Sequence, residues 1–82
     1  MKLYQDTVTK ELVLDNGIEV RYPAFSEIQR QQYGNSLILK TVSGINLLDK
    51  TLYSDLTDLS GTAYASFAAL KTALDGYFDA SI

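Results

Sequence analysis

The chain has 82 residues, with 7 basic and 10 acidic side chains, a formal net charge of -3, and no histidine, cysteine or tryptophan. It therefore lacks the residues for a disulfide framework, a Cys-ligated zinc site, a thiol nucleophile or a Ser-His-Asp triad. Its acidic balance also disfavours non-specific binding to nucleic acid, which requires clustered Lys and Arg. We expect one small domain over residues 1–82, without cofactor, metal or enzymatic activity.

Apolar residues make up 46% of the chain and charged residues 21%, values that are typical of a folded soluble domain. A chain of this length buries only about 60% of the surface of its unfolded state, and here no disulfide compensates for the small core. We therefore expect association with copies of itself or with other proteins, and a stable monomer is the alternative.

The N-terminal segment contains Asp6 and Glu11 and has no continuous apolar stretch, so we do not expect a secretory signal. No apolar run approaches the roughly 18 residues that span a bilayer. Tyr4 is expected in an irregular segment ahead of the first strand. We expect a soluble protein that is made in the cytoplasm and has no membrane partner.

The strongest β signal is a pair of β-rich runs at residues 8–14 and 18–22, separated by Asp-Asn-Gly. A two-residue Asn-Gly loop would mix apolar and charged side chains on one face of this hairpin. A three-residue loop at 15–17 separates them, and it pairs Leu14 with Ile18, Leu12 with Val20 and Glu11 with Arg21. We predict the three-residue loop, with Gly17 in the left-handed conformation.

Two structures remain open for residues 24–34, which follow the strand-ending Pro23. Ser26 and Gln29 fit a capping box and Gly34 fits a C-cap, which together favour a short helix at 27–33. A strand that leads into a turn at Gly34 is the alternative.

The middle of the chain predicts two further strands and a loop. Residues 36–42 read as a buried strand, and residues 45–48 follow as a second strand after a Ser-Gly turn. Asp49 and Lys50 interrupt that second strand. Residues 55–62 are small and polar and predict a loop.

The last element predicted is a helix at about residues 67–75. Ser66 is a good N-cap, and Phe67, Leu70 and Leu74 follow at the spacing of one apolar helix face. Strands followed by a helix indicate a small α+β domain in which this helix packs on an antiparallel sheet. The apolar tail at 77–78 is expected on that sheet as well.

Candidate metal and catalytic groups are few. Asp55, Asp58 and Gly61 resemble part of a calcium loop, but their spacing does not match the EF-hand pattern. Asp75 and Asp79 lie four residues apart, with no neighbouring base that would adjust the pKa of either carboxyl. The scattered glycines form no nucleotide-binding motif, so we expect no small-molecule substrate.

Six tyrosines are many for a chain of this length. Tyrosine is common at protein interfaces because it combines a large contact area with a polar tip. It is equally common at the half-buried margin of a small sheet. The predicted interface residues are Tyr4, Tyr64, Phe67, Tyr77 and Phe78.

Residues 58–74 contain a turn of Asp, Ser and Gly, then a tyrosine, a Ser cap and a short Leu/Ala helix. This pattern resembles one found in small virion proteins of tailed bacteriophages. The matching positions are Gly61, Thr62, Tyr64, Ser66, Phe67, Leu70 and Leu74. The resemblance implies a non-enzymatic capsid, neck or tail subunit, present in many copies in the virion, that contacts itself and other virion proteins. A small regulatory or protein-binding module, monomeric or dimeric, is the alternative.

Overall fold

A computed structural model describes residues 1–23 and 28–74 and contains two three-stranded antiparallel sheets and one helix. The small α+β fold class is confirmed, although the strands form two sheets. The first sheet has the order β1-β2-β3 and the second β4-β5-β6. The strands are β1 Lys2–Gln5, β2 Leu12–Asp15, β3 Glu19–Tyr22, β4 Ile28–Tyr33, β5 Ser36–Thr41 and β6 Asn46–Leu52; a 3-10 turn at Tyr53–Asp55 and helix α1 at Phe67–Ala73 follow.

Strand β1 corrects the prediction of an irregular N-terminus. Tyr4 lies within this strand, opposite Val13 of β2. On the other edge of β1, the Leu3 N–H donates to the carbonyl of Thr57 at 2.9 Å. The segment is a strand because its backbone groups are satisfied on both sides, once by β2 and once by a residue more than fifty positions away.

The β2–β3 hairpin has a three-residue loop, as predicted, but the loop comprises residues 16–18 and the predicted register is wrong. Asp15 lies opposite Glu19, and Val13 lies opposite Arg21. The Asp15 carboxylate accepts the N–H of Gly17 at 3.0 Å, which holds Asp15 at the end of the strand. Gly17 has the predicted left-handed backbone, with φ 94. The observed register differs from the predicted one by two residues, since Leu14 lies opposite Val20 instead of Ile18. A shift by an even number leaves each strand side chain on its predicted face.

The predicted strand start at residue 8 is also wrong, because β2 begins at Leu12. Residues 6–11 form a loop that is organised by the Asp6 carboxylate. One oxygen of that carboxylate accepts the N–H groups of Val8 at 2.8 Å and Thr9 at 3.0 Å. This local bonding competes with strand pairing and turns the chain back towards β2.

Residues 28–33 form strand β4, which excludes the helical alternative for that part of the chain. Ile28 and Arg30 are buried while Gln29 is exposed, the alternation of a strand with one covered face. Gly34 (φ 59) makes the turn into β5. Pairing of all six β4 residues with the neighbouring strand β5 outweighs the helix signals. Ser26, the N-cap of the predicted helix, lies outside the described residues.

Strand β6 is longer than predicted, because Asp49 and Lys50 form a bulge within it. Leu39 lies opposite Leu48 and Leu37 lies opposite Thr51, so β6 has one more residue than β5 between these pairs. Lys50 takes up the extra residue with a left-handed backbone, φ 54.

Helix α1 begins where predicted and is described to Ala73, with Leu74 as its C-cap; residue 75 of the predicted helix lies outside the described residues. The Ser66 hydroxyl accepts the N–H of Ala69 at 3.1 Å, as a helix N-cap does. The helix packs on the core, which consists of Leu3, Leu12, Ile28, Leu37, Leu39, Leu48, Leu56, Tyr64, Phe67, Leu70 and Leu74. Within the described ranges, no helix is long and apolar enough to cross a bilayer.

Candidate functional site

The candidate site lies on the face of the first sheet that points away from the core. Successive side chains of a strand point to opposite faces, so Leu3 and Leu12 enter the core while Tyr4 and Val13 lie on the other face. Val13 is nevertheless fully buried, between its cross-strand neighbours Tyr4 and Arg21. The second face of this small sheet is thus covered by an aromatic ring and by the stem of an arginine.

Arg21 connects three carboxylates on this face. Its Nη1 lies 3.0 Å from Asp6 Oδ2 and 3.2 Å from Glu11 Oε1, and its Nε lies 2.6 Å from Glu19 Oε1. Hydrogen bonds to Glu19 and Asp6 raise the pKa of the guanidinium above its usual value. The predicted attraction between Glu11 and Arg21 is present, although Val13 is the residue directly opposite Arg21.

Asp6 is held ionised by the loop around it. The N–H of Thr9, the guanidinium of Arg21 and the N–H of Val8 lower the pKa of Asp6 from 3.8 to about 2. This carboxylate therefore remains negatively charged throughout the pH range in which proteins function.

Asp58 organises the loop that precedes the helix. Its Oδ1 accepts the Ser60 hydroxyl at 2.7 Å and the Thr62 N–H at 3.0 Å, and these bonds lower the pKa of Asp58. In the part of the chain that the structure describes, no group of three or more His, Cys, Asp or Glu side chains is arranged to hold a metal ion. The Asp58 carboxylate accordingly supports the loop through bonds to the chain itself.

Tyr64 brings this loop against β1. Its hydroxyl donates to the Leu3 carbonyl at 2.5 Å, and the residue is only 8% exposed. Burial first, and then the charge of Asp58, raise the pKa of Tyr64 to about 12. The phenol therefore stays protonated and keeps its bond to β1 at neutral pH.

A cleft of about 520 Å³ lies where these groups meet, between the outer face of the first sheet, the loop at 58–62 and the end of α1. It is open to solvent. Among the described lining residues there are three carboxylates and one guanidinium, so this part of the lining has more negative than positive charge. The lining residues that bear polar groups include Tyr4, Asp6, Glu19, Arg21, Asp58 and Tyr64.

Tyr4 is the unusual member of this set. The residue is only 9% exposed, yet its hydroxyl has no hydrogen-bond partner among the described residues. Within the same residues no fully buried side-chain N or O atom lacks a partner, so the Tyr4 hydroxyl must be reached by solvent. Tyr4 also lines the cleft. Burial, and then the charge of Glu19, raise the pKa of Tyr4, so it is a neutral phenol.

The structure brings two of the predicted interface residues, Tyr4 and Tyr64, to one cleft. Phe67 packs in the core at 6% exposure, so its apolar area and that of Tyr64 are used within the chain. Tyr77 and Phe78 lie outside the described residues, and their role at an interface stays a prediction.

Sequence reasoning did not assign Asp6, Glu19 or Arg21 to any site. The signal that would have found Asp6 is its turn-forming chemistry directly after the four residues of β1. No local signal brings Asp58 next to these residues, because the juxtaposition depends on the pairing of Thr57 with β1.

Comparison of the chain with protein-family models, with curated protein sequences and with solved structures finds no match.

Proposed function

We propose that this chain is a non-enzymatic structural or assembly subunit that acts through protein–protein contacts, first of all with copies of itself. The observation that carries the proposal is a set of apolar side chains presented to solvent on turns that hydrogen bonds hold. Among the described residues, three hairpin loops have this property.

The β5–β6 turn shows the arrangement most fully. Thr41 and Ile45 close the turn, since the Thr41 N–H donates to the Ile45 carbonyl at 2.9 Å and the Ile45 N–H donates to Thr41 Oγ1 at 3.0 Å. The N–H of Gly44 donates to the Thr41 carbonyl at 2.8 Å. On this fixed backbone, Val42 and Ile45 are 62% and 63% exposed.

The first sheet repeats the arrangement at both of its ends. Ile18, in the turn held by Asp15, is 78% exposed, and Val8, in the loop held by Asp6, is 87% exposed. Because β1 and β2 are antiparallel, these two loops lie at opposite ends of the sheet. Apolar contacts are thus offered in more than one direction, as an assembling subunit requires.

Single exposed apolar residues are common on protein surfaces, but turns favour Gly, Pro, Asn, Asp and Ser. A turn that hydrogen bonds already hold does not have to become ordered when a partner binds, so its Val or Ile side chain is buried without that entropy cost. Burying such a side chain completely contributes about 1.5–3 kcal/mol. Association would also extend the small core that a chain of this size can build.

We further propose that the assembly is a virion, on the basis of the bacteriophage resemblance in residues 58–74. In support, these residues form one folded unit, in which a loop held by Asp58 leads to Tyr64, the Ser66 cap and α1. Portal, capsid or tail genes beside the gene for this chain would support this proposal, and their absence would count against it.

The alternative is a small binding module that acts as a monomer or dimer. The cleft beside Tyr4 favours it, because clefts of this size are typical of sites that bind one ligand or side chain. Such a module would capture one protein and would not build a particle.

Light scattering at increasing protein concentration tests the assembly proposal. We expect the mass of the native chain to exceed that of a monomer, and the double change Val42→Ser with Ile45→Ser to lower it. Val20→Thr is the control, since Val20 is exposed on a strand of the first sheet and not on a turn. A native chain that stays monomeric at every concentration would contradict the proposal.

A further inference from the structure

The cleft beside Tyr4 contains more carboxylates than the described residues around it neutralise. Arg21 is its only cation among the described lining residues, and it is already bonded to Asp6, Glu11 and Glu19. No lysine forms an ion pair in the part of the chain that the structure describes. A cationic group that entered the cleft would therefore contact carboxylates that no lysine of the described residues already pairs with.

Two carboxylate oxygens in the lining are available to such a group. Glu19 bonds to Arg21 through Oε1, and Asp58 bonds to its own loop through Oδ1. The second oxygen of each carboxylate has no hydrogen-bond partner among the described residues. Ionised carboxylates accept charge-assisted hydrogen bonds from ammonium and guanidinium groups.

Tyr4 is an independent indication of a ligand at this position. Tyr4 is only 9% exposed, it lines the cleft, and its hydroxyl has no hydrogen-bond partner among the described residues. Solvent reaches this hydroxyl and no described residue bonds to it, so a ligand in the cleft can form a hydrogen bond with it. The oxygen of a neutral phenol accepts a hydrogen bond, and its ring attracts a cation.

The rest of the lining suits a long side chain better than a bare ion. Leu59 and Ala73 add apolar wall beside the carboxylates. Lys and Arg combine an apolar stem with a cationic tip, and they bury the stem along apolar surface while the tip finds polar partners. Since the chain is proposed to act through protein contacts, the source of that side chain is another protein.

We propose that this cleft binds the cationic end of one Lys or Arg side chain of a partner protein, with Glu19, Asp58 and Tyr4 as its acceptors. The proposal rests on the proposed function only in requiring a protein partner. It does not require that the partner be a second copy of this chain.

Titration of the full chain with short peptides, followed by the NMR signals of the tyrosine rings, tests the proposal. The probes are acetylated and amidated Gly-Gly-Lys-Gly-Gly, its arginine counterpart, and a norleucine counterpart that keeps the stem without the charge. We expect saturable shifts of the Tyr4 and Tyr64 rings with the two basic peptides and no saturable shift with norleucine. Added salt should weaken the binding.

Three variants locate the site. Tyr4→Phe should lower the affinity about tenfold, because a hydrogen bond to a charged group is lost. Glu19→Gln and Asp58→Asn should each lower it roughly two- to fivefold, as for partly exposed ion pairs. Asp49→Asn is the control, since Asp49 is an exposed carboxylate on β6 that does not line the cleft.

The proposal is overturned if the basic peptides cause no saturable shift, if norleucine binds equally well, or if the three variants bind like the native chain. n-Butylammonium is a further probe in the same titration. If it binds as tightly as the lysine peptide does, the cleft is a site for free amines and the proposal is overturned. Self-association without peptide binding would overturn this proposal alone. Peptide binding by a chain that remains monomeric would overturn the assembly proposal and leave this one standing.

Discussion

The hydroxyl of Tyr64 donates to the carbonyl of Leu3, 61 residues earlier in the chain. Leu3 uses its N–H to bind Thr57, so both of its backbone polar groups are satisfied by the segment that leads to the helix. This bond attaches the loop and helix at 58–74 to the edge of the first sheet. It also forms one side of the cleft in which Tyr4 lies.

Tyr64→Phe should lower the free energy of unfolding by about 1–3 kcal/mol, because the Leu3 carbonyl would lose its buried partner. Urea unfolding followed by circular dichroism measures the change. Tyr53→Phe is the matched control, since the half-buried Tyr53 hydroxyl has no hydrogen bond to any described residue. Equal losses in the two variants would mean that the bond to Leu3 contributes nothing specific.

Leu70→Ala should cost about 2–5 kcal/mol of unfolding free energy, the range for truncating a fully buried leucine. Leu70 is one of the α1 residues in the core, so the variant also tests how the helix packs. Leu59→Ala removes the same atoms from a side chain that is 61% exposed and should have little effect. A loss below about 1 kcal/mol for Leu70→Ala would contradict the packing of α1.

Ser66→Ala should cost about 1 kcal/mol, because the N–H of Ala69 would lose its capping acceptor. Ser66→Asp should retain most of the stability, since aspartate is an equally good N-cap. Thermal unfolding of the three proteins measures both effects. Identical stability of the native chain and Ser66→Ala would show that this cap is not needed.

Asp6 should make the stability of the fold depend on pH in the acid range. Its pKa is lowered from 3.8 to about 2 in the folded chain, so the unfolded state binds the proton more readily. The stabilisation that the Asp6 carboxylate provides is therefore complete above 3.8, its pKa in the unfolded chain. It is lost as the pH falls through about 2, its pKa in the folded chain. Asp6→Asn lacks this contribution, so its stability should be lower than that of the native chain at neutral pH.

Denaturant unfolding at several pH values compares the native chain with Asp6→Asn. The difference between the two should shrink as the pH falls from 4 towards 2, in line with the two pKa values of Asp6. Arg21→Gln should raise the pKa of Asp6 only part of the way, because the Thr9 N–H is the largest cause of the shift. A difference that is constant with pH would contradict the assignment.

Local patterns in the sequence predicted several features correctly. The alternation in the hairpin placed Leu12, Leu14 and Val20 on one face, and an even-numbered error in register leaves those faces unchanged. Ser66 predicted the first residue of α1, because capping depends only on the next three residues.

Local patterns failed where pairing with a neighbouring strand decides the outcome. Residues 27–33 contain helix signals, yet β4 forms because six of its backbone positions pair with β5. Asp49 and Lys50 read as the end of a strand, yet pairing with β5 continues beyond them through a bulge.

The faces of the hairpin strands, the first residue of α1 and the chemistries that need His or Cys could all be assigned from the residues in their order along the chain. The folded chain was needed to show that residues 2–5 are a strand, that the strands divide into two sheets, and that Tyr4, Glu19 and Asp58 meet at one cleft. Turns and caps follow from neighbours within a few residues. The cleft depends on backbone pairing between Thr57 and β1, which the residues near either segment do not specify.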